Sequence, residues 1–315
     1  VTRTDIAIVG VGKIARDQHL PAIEQGGRFR LAASVSRSGG VDGVENFGTL
    51  EGLLAARPEI GVVSFCTPPQ VRYAGARAAL EAGRHVMLEK PPGASLSEVH
   101  DLSALAEASG LTLCATWHSR MADGVAGAKA WLSDKRVRRV TITWKEDVRH
   151  WHPGQLWIWE AGGLGVFDPG INAFSIVTEI LPVSLHVTGA ELHVPTNCQT
   201  PIAAQVTFAG PDGLTAQADL DWLAEGDPLW RIEVETDQGQ LTLDKGGAVL
   251  SVDGAAPVHD APELQGEYPR LYARMGALLD VGAREVDLRP LRLVADAFML
   301  GRRIDAAPYT DPTLE

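Results

Sequence analysis

The sequence predicts an α/β protein in two parts: a doubly wound parallel sheet over residues 1–120, then an α+β domain over 121–315 built on a large, mainly antiparallel open sheet. Three observations predict this. The apolar run Ile6-Ala-Ile-Val-Gly-Val-Gly-Lys-Ile-Ala15 ends in Gly10-x-Gly12-x-x-Ala15 and passes directly into a helical pattern, as a buried parallel strand does when a tight turn joins it to a helix. Apolar strands then alternate with helical segments as far as Thr116, which demands right-handed crossovers and a sheet covered on both faces. Past Trp117 strands follow one another with period-two patterning, the pattern of an antiparallel meander.

Lys13 to about Gln25 carries the first helix, and Phe29 to Val35 the second strand. Thr49 to Arg57 is a short helix and Ile60 to Cys66 a fully apolar strand. Thr67-Pro68-Pro69 closes that strand, because proline has no ladder donor and turns the chain out of the sheet. A helix from about Gln70 to Ala82 leads through Gly83 to His85-Val-Met-Leu-Glu89-Lys90-Pro91. Ser95 opens the next helix, with Glu98 three residues on as a capping box, and Gly110 ends it before the strand Leu111 to Thr116. In the second part a helix, Asp123 to Leu132, precedes the strand Arg139 to Glu146, an aromatic loop and a helix from about Asp168 to Leu181. Strands are expected at Leu185–Val194, Ile202–Phe208, Leu214–Trp222, Trp230–Glu235, Gln240–Leu243 and Ala248–Val252. Two helices finish the chain, Tyr268 to Val281 and Leu291 to Arg303, the second begun by Pro290.

Composition narrows the function. At 315 residues and 45% apolar content, two domains can each bury a core. A net charge of −12 argues against nucleic acid, which needs a basic face. No apolar run reaches the length of a membrane span, and Val1-Thr-Arg-Thr-Asp5 lacks a signal-peptide pattern, so a cytoplasmic location is expected. Cys66, Cys114 and Cys198 are odd in number and widely separated, which suits reduced thiols better than a disulfide or a zinc site.

The chemistry begins at the glycines. Gly10 and Gly12 let the backbone turn and approach a pyrophosphate, and the amides of Lys13 and Ile14 at the helix start point at that anion. A strand–glycine–helix turn also occurs for packing alone; the strand before it, the helix after it and the second strand in its expected place favour a dinucleotide site. Where an NAD-preferring site carries an acid after the second strand, this chain has Ser36 and Arg37. A guanidinium suits a 2′-phosphate, so NADP is expected to be accepted at least as well as NAD. Thr67, Pro68 and Glu89 stand at strand ends on the same edge, and His118 follows the last parallel strand, facing a nicotinamide or simply exposed in a loop.

Lys90 ends a strand at that edge and is either a solvated strand-end lysine or a group reaching over the dinucleotide. Asp168-Pro169 looks like a helix start, with Asn172 one turn later on the same face. Four of the eight tryptophans fall between Trp144 and Trp159, among Glu146, His150, Trp151, His152 and Gln155. Flat rings with paired donors and acceptors suit a sugar, although the same residues could pack a long loop on the sheet. His150 and His152 lack a third ligand at metal spacing, so no metal is expected.

Taken in order, Gly10-x-Gly12-x-x-Ala15, Thr67-Pro68-Pro69, Glu89-Lys90-Pro91 and the run from Gly162-Gly163 to Asp168-x-Gly170 resemble the Gfo/Idh/MocA oxidoreductase family over the whole chain. Gly12-Lys-Ile-Ala-Arg-Asp-Gln-His-Leu-Pro-Ala22, Trp117-His-Ser-Arg120, Trp144-Lys-Glu-Asp147, Trp151-His-Pro-Gly-Gln155 and Phe167-Asp-Pro-Gly-Ile-Asn172 are similar to its sugar 1-dehydrogenases. The resemblance implies a Rossmann domain, NADP or NAD as cofactor, a homo-oligomer, and an active site in the cleft between the domains. It implies oxidation of a pyranose aldose such as L-arabinose or D-galactose at C1 to the lactone, with hydride transfer to nicotinamide C4. The family's lysine falls on Lys90 and its aspartate on Asp168. Where the family commonly has histidine, this chain has Asn172, which can orient a hydroxyl but not carry a proton. Either Asp168 or Lys90 removes the O1 proton, with Asp168 favoured; Glu146, Trp151, His152, Gln155 and Trp230 would read the other hydroxyls. Two alternatives remain: the same fold acting on an inositol or keto-sugar, and a silent sugar or dinucleotide sensor.

Overall fold

The computed structural model describes residues 3–37, 39–255 and 266–311. The chain divides into two compact units, Val1–Trp117 with Gly266–Asp287, and His118–Gln265 with Leu288–Glu315.

The first unit opens with β1 (Thr4–Val9), a π turn (Ala15–His19) running into α1 (Leu20–Gly26), and β2 (Phe29–Val35). β3 (Glu45–Phe47), α2 (Leu50–Ala56), β4 (Val62–Phe65), α3 (Arg72–Glu81), β5 (His85–Glu89), α4 (Leu96–Ala108) and β6 (Leu113–Thr116) follow. The strands lie in the order β3-β2-β1-β4-β5-β6, every neighbouring pair parallel. The chain changes direction of winding between β1 and β4, which is where doubly wound sheets open a crevice for ligands. The central strands are apolar because helices cover both faces: Ile6, Ala7, Ile8, Val62, Val63, Val86, Met87 and Leu88 are all fully buried. Ser95 and Glu98 form the expected reciprocal cap of α4. β3 escaped the sequence reading because three residues, two of them exposed, carry too little periodicity to see.

The second unit contains α5 (Val125–Leu132), β7 (Val137–Lys145), α6 (Val148–Trp151), α7 (Phe167–Ile180), β8 (His186–Pro195), β9 (Ala203–Ala209), β10 (Thr215–Asp221), β11 (Leu229–Thr236), β12 (Gly239–Asp244) and β13 (Val249–Val252). The chain then returns to the first unit with α8 (Glu267–Val281), and ends in the second with α9 (Arg289–Leu300) and β14 (Gly301–Ala306). The eight-stranded sheet runs β13-β12-β11-β7-β10-β9-β8-β14.

Three expectations change here. The sheet is mainly antiparallel but no simple meander: β7 inserts between β10 and β11 and pairs parallel with β10, and β14 pairs parallel with β8. The last helix stops at Leu300, and Gly301 to Ala306, read in part as its end, forms the edge strand. Strand alternation there is masked by Arg302 and Arg303, both exposed on the edge, where charge discourages further pairing. The boundary expected near residue 120 falls at Trp117, but α8 belongs to the first unit rather than the second. It is held there by Tyr272 against His19 and Phe29, by Arg28 to Asp280 at 2.6 Å, and by the segment after it, where the Ala115 N–H donates to the Glu285 carbonyl at 3.0 Å. Such long-range partners leave no local trace in the sequence. Among the described residues no helix is long and apolar enough to cross a membrane.

Candidate active site

In the first unit the candidate residues gather at the carboxyl ends of β1, β2, β4 and β5. Gly10 has φ +90°, and a Cβ there would lie 2.9 Å from Thr67 Cγ2 and 3.0 Å from Thr67 N, so any other residue is strained and crowded at once. Gly12 is the opposite case: it is exposed, and an added Cβ would meet no protein atom within 4 Å. What glycine keeps open there is the space over the backbone at a helix start, the form of a pyrophosphate cradle. Lys13 is exposed beside Asp17, and Ile14 is half-buried behind it. Beyond β2, the Ser36 N–H donates to the Phe47 carbonyl at 3.0 Å and Asn46 Nδ2 donates to the Ser36 carbonyl at 3.1 Å, while Arg37 is exposed. These residues fit a dinucleotide: Gly10 and Gly12 for the pyrophosphate, Ser36 and Arg37 for the adenosine ribose.

Lys90 follows β5 and is half-buried. Glu89 before it departs from expectation. It was assigned to the cofactor, yet it is 4% exposed and its carboxylate accepts the Tyr268 hydroxyl at 2.6 Å and the Lys90 N–H at 2.7 Å, with His19 Nε2 at 3.1 Å. Its donors come from the protein because a buried carboxylate needs them. Arg72, also buried, donates to the carbonyls of Thr67, Glu89 and Pro91, so it clamps two strand ends that the sequence reading had only noted as adjacent. Burial by itself pushes the His19 imidazole down, but Cys66, Tyr272 and Glu89 around it raise it well above its ordinary value. Burial and the Glu89 carboxylate push the Tyr268 phenol well up, which keeps it a donor. No motif announces His19, Tyr268 or Tyr272; the one available signal is the spacing of the two tyrosines, four residues apart and so on one helix face.

In the second unit α7 starts one residue earlier than expected, at Phe167 with Val166 as its N-cap. Asp168 is therefore the second helical residue and Pro169 the third. Both suit the first turn, where an amide has no intrahelical partner and a carboxylate meets the positive end of the helix. Asp168 is 2% exposed. His152 Nε2 stands 3.6 Å from Asp168 Oδ2, and Gln155 Oε1 is 3.5 Å from His152 Nδ1. The sequence reading placed all three near a sugar but missed that they form a chain. Asn172 shares the Asp168 face and stays partly exposed, whereas the other residues of the first two turns are buried.

The loop before α7 explains the run of glycines. Gly165 has φ +55°, and a Cβ there would collide with the Pro201 carbonyl. Its N–H donates to the Ile158 carbonyl at 3.1 Å, and the Val166 N–H donates to Pro201 at 2.7 Å, so the loop closes tightly on the helix start. Behind it lies a wall of tryptophans pinned by one carboxylate. Glu146, 4% exposed, accepts Trp222 Nε1–H at 3.0 Å on one oxygen and Trp230 Nε1–H at 2.7 Å on the other. Trp230 stacks on Trp144 at 5.7 Å and carries Trp151 at 5.3 Å, and His152 sits edge-on to Trp222 at 5.1 Å. Glu146 and Trp230, expected to read hydroxyls, are thus buried supports; Trp151, His152 and Gln155 are the half-buried members in front. His118 is 5% exposed at the start of a 3₁₀ turn, with Ser119 Oγ at 3.4 Å from Nδ1, which removes the exposed-loop alternative.

The chain is similar to known proteins in both sequence and fold. Residues 4–116 match the Gfo/Idh/MocA oxidoreductase family, NAD-binding Rossmann fold. A galactose 1-dehydrogenase of Pseudomonas fluorescens is 44% identical over 307 residues, 97% of this chain and 98% of that one. The crystal structure of a D-galactose-1-dehydrogenase from Rhizobium etli is 53% identical with a TM-score of 0.93, covering 98% of this chain and 99% of that chain. A 3-ketoreductase from Actinomadura kijaniata, crystallised with NADP and TDP-benzene, shares the fold at a TM-score of 0.83 and 18% identity, over 97% of this chain and 100% of its own.

Proposed function

The chain belongs to the Gfo/Idh/MocA family of oxidoreductases, and on that footing we propose that it oxidises a pyranose aldose, D-galactose or L-arabinose, at C1 to the lactone with NADP or NAD. When bound, the nicotinamide accepts a hydride at C4. The observation that carries the reading is Asp168, a carboxylate sealed in the first turn of α7 yet in reach of the more exposed His152.

Asp168 Oδ2 takes the O1 proton as the C1–H bond breaks and the C1=O1 bond forms, which lowers the barrier to hydride loss. His152 Nε2, 3.6 Å away, orients that carboxylate and offers the proton an outward path. Lys90 donates to O1 or its neighbour and fixes the sugar in register. Asn172 and Gln155 bond the remaining hydroxyls, and Trp151 lies against the C–H face of the ring. L-Arabinose and D-galactose share ring stereochemistry at C1 to C4, so one pocket holds both, whereas an epimer leaves polar groups without partners. Arg37 receives the 2′-phosphate of NADP.

The experiment is a panel of aldoses and cyclitols with NADP and with NAD, followed at the absorbance of the reduced nicotinamide, with the product identified by mass. Turnover confined to galactose-configured aldoses, yielding the lactone, is expected. Turnover of cyclitols alone, or of nothing at saturating cofactor, would reject the proposal.

A further inference from the structure

The first unit holds a buried polar cluster that the reaction above does not use. Glu89 Oε1 accepts the Tyr268 hydroxyl at 2.6 Å and lies 3.1 Å from His19 Nε2; Glu89 Oε2 accepts the Lys90 backbone N–H at 2.7 Å. His19, fully buried, places Nδ1 2.7 Å from the Tyr272 hydroxyl. Its ring stands edge-on to both tyrosines, with centroids at 4.9 Å and 5.7 Å. Tyr268 and Tyr272 come from one face of α8, the segment that returns to this unit from far along the chain. His19 is the last residue of the π turn that follows the glycines.

Burial of such a cluster is not in itself evidence that it stabilises the fold. A buried ion pair rarely outperforms well-packed apolar residues of the same volume, because desolvation offsets the attraction. What this one does is hold a backbone atom of Lys90. The Lys90 amide hydrogen is fixed by Glu89, whose orientation is fixed in turn by a phenol and an imidazole. On the other side of the same residue, Arg72 holds the carbonyls of Glu89 and Pro91. The main chain on both sides of the lysine is therefore pinned.

We propose that His19, Tyr268 and Tyr272 are positioning residues for Lys90, acting through the Glu89 carboxylate. The proposal rests on the role given to Lys90 under the proposed function. It converts α8 from a packing element into part of the catalytic support: its two hydroxyls set the angle at which the strand end presents the ammonium. Reactions run at near-contact distance are sensitive to displacements of about 1 Å, which cost about a hundredfold in rate. Loosening this carboxylate should therefore reduce turnover without touching either ligand's affinity.

Tyr268→Phe, His19→Leu and His19→Gln test this against Lys90→Ala. Tyr268→Phe should lower kcat about tenfold, the factor expected for one lost hydrogen bond to a charged group. The KM for the sugar and the dissociation constant of NADP, read by fluorescence, should stay within about twofold. His19→Leu should act in the same direction, and His19→Gln, whose side-chain N–H can stand where Nε2–H stands, should recover most of the loss. Independently of activity, the Lys90 amide should exchange its hydrogen faster in Tyr268→Phe and His19→Leu than in the parent, while β1 amides keep their protection. Unchanged kcat and unchanged Lys90 exchange in Tyr268→Phe would overturn the proposal. So would a fall in kcat, KM and NADP affinity that merely tracks the melting temperature, with no rescue by glutamine. If Lys90→Ala itself retains full turnover, the role of Lys90 falls; if Lys90→Ala is inactive and the other variants are not, only the positioning proposal falls.

Discussion

The two candidate groups are held by opposite means. Lys90 follows a buried strand, and the chain around it is fixed by directional polar contacts: Glu89 on its amide, Arg72 on the carbonyls either side. Asp168 sits in a helix start fixed by close backbone packing at Gly165 and faced by His152, whose ring packs on Trp222, with Trp151 on Trp230 in the same aromatic cluster. The first arrangement sets an angle; the second sets a shape. A polar network fails when one atom is removed, because the remaining groups are buried without partners. A wall of rings fails by degrees, because contact area is lost in pieces.

Asp168→Asn is the sharpest way to break the comparison. It leaves volume and shape unchanged while removing the charge and the ability to take a proton, so kcat should fall about 10²- to 10⁴-fold, the range for a general base. NADP affinity and the melting temperature should hardly move. Rapid-mix and steady-state kinetics measure it, and a variant with near-parental kcat would transfer the proton step to another group.

Trp151→Ala tests the other half. The ring is half-buried against Trp230, so its removal leaves the pinned core of Glu146, Trp222 and Trp230 in place. The loss should be graded: KM for the sugar raised about tenfold, from lost apolar contact worth about 1.5 kcal/mol, with kcat changed far less. An unchanged KM would show that Trp151 packs the loop and does not touch the sugar.

The same contrast explains how much could be read in advance. Gly10, Gly12 and the alternation of strands and helices are local patterns with fixed physical meaning, so the parallel sheet and the cradle were visible in the sequence. Lys90 and Asp168 stand out as candidates because each adjoins a local signal, a strand end and a helix start. The burial of Glu89 is not legible in the sequence because its partners, His19, Tyr268 and Arg72, lie 70, 179 and 17 residues away and form no pattern with it. The burial of Glu146 and Trp230 is hidden for the same reason: density of tryptophan shows that rings cluster, but not which of them face outward. The parallel pairing of β7 with β10 and of β8 with β14 is equally invisible, since period-two patterning fixes the buried face of a strand and not its neighbour.

The smallest expected effect concerns the open end of the cradle. Arg37 is exposed beyond β2, beside a backbone held by Phe47 and Asn46. An exposed guanidinium on a phosphate is screened by solvent and salt, so its contribution is modest. Arg37→Ala should weaken NADP by about three- to tenfold at low ionic strength and leave NAD within about twofold, which shifts the ratio of the two dissociation constants towards NAD. The shift should shrink as salt is added, because only the charged contact to the 2′-phosphate is screened while the pyrophosphate cradle at Gly10 and Gly12 serves both cofactors alike. An unaltered ratio at low salt would mean that the 2′-phosphate is met by another group, and that Ser36 and Arg37 distinguish nothing.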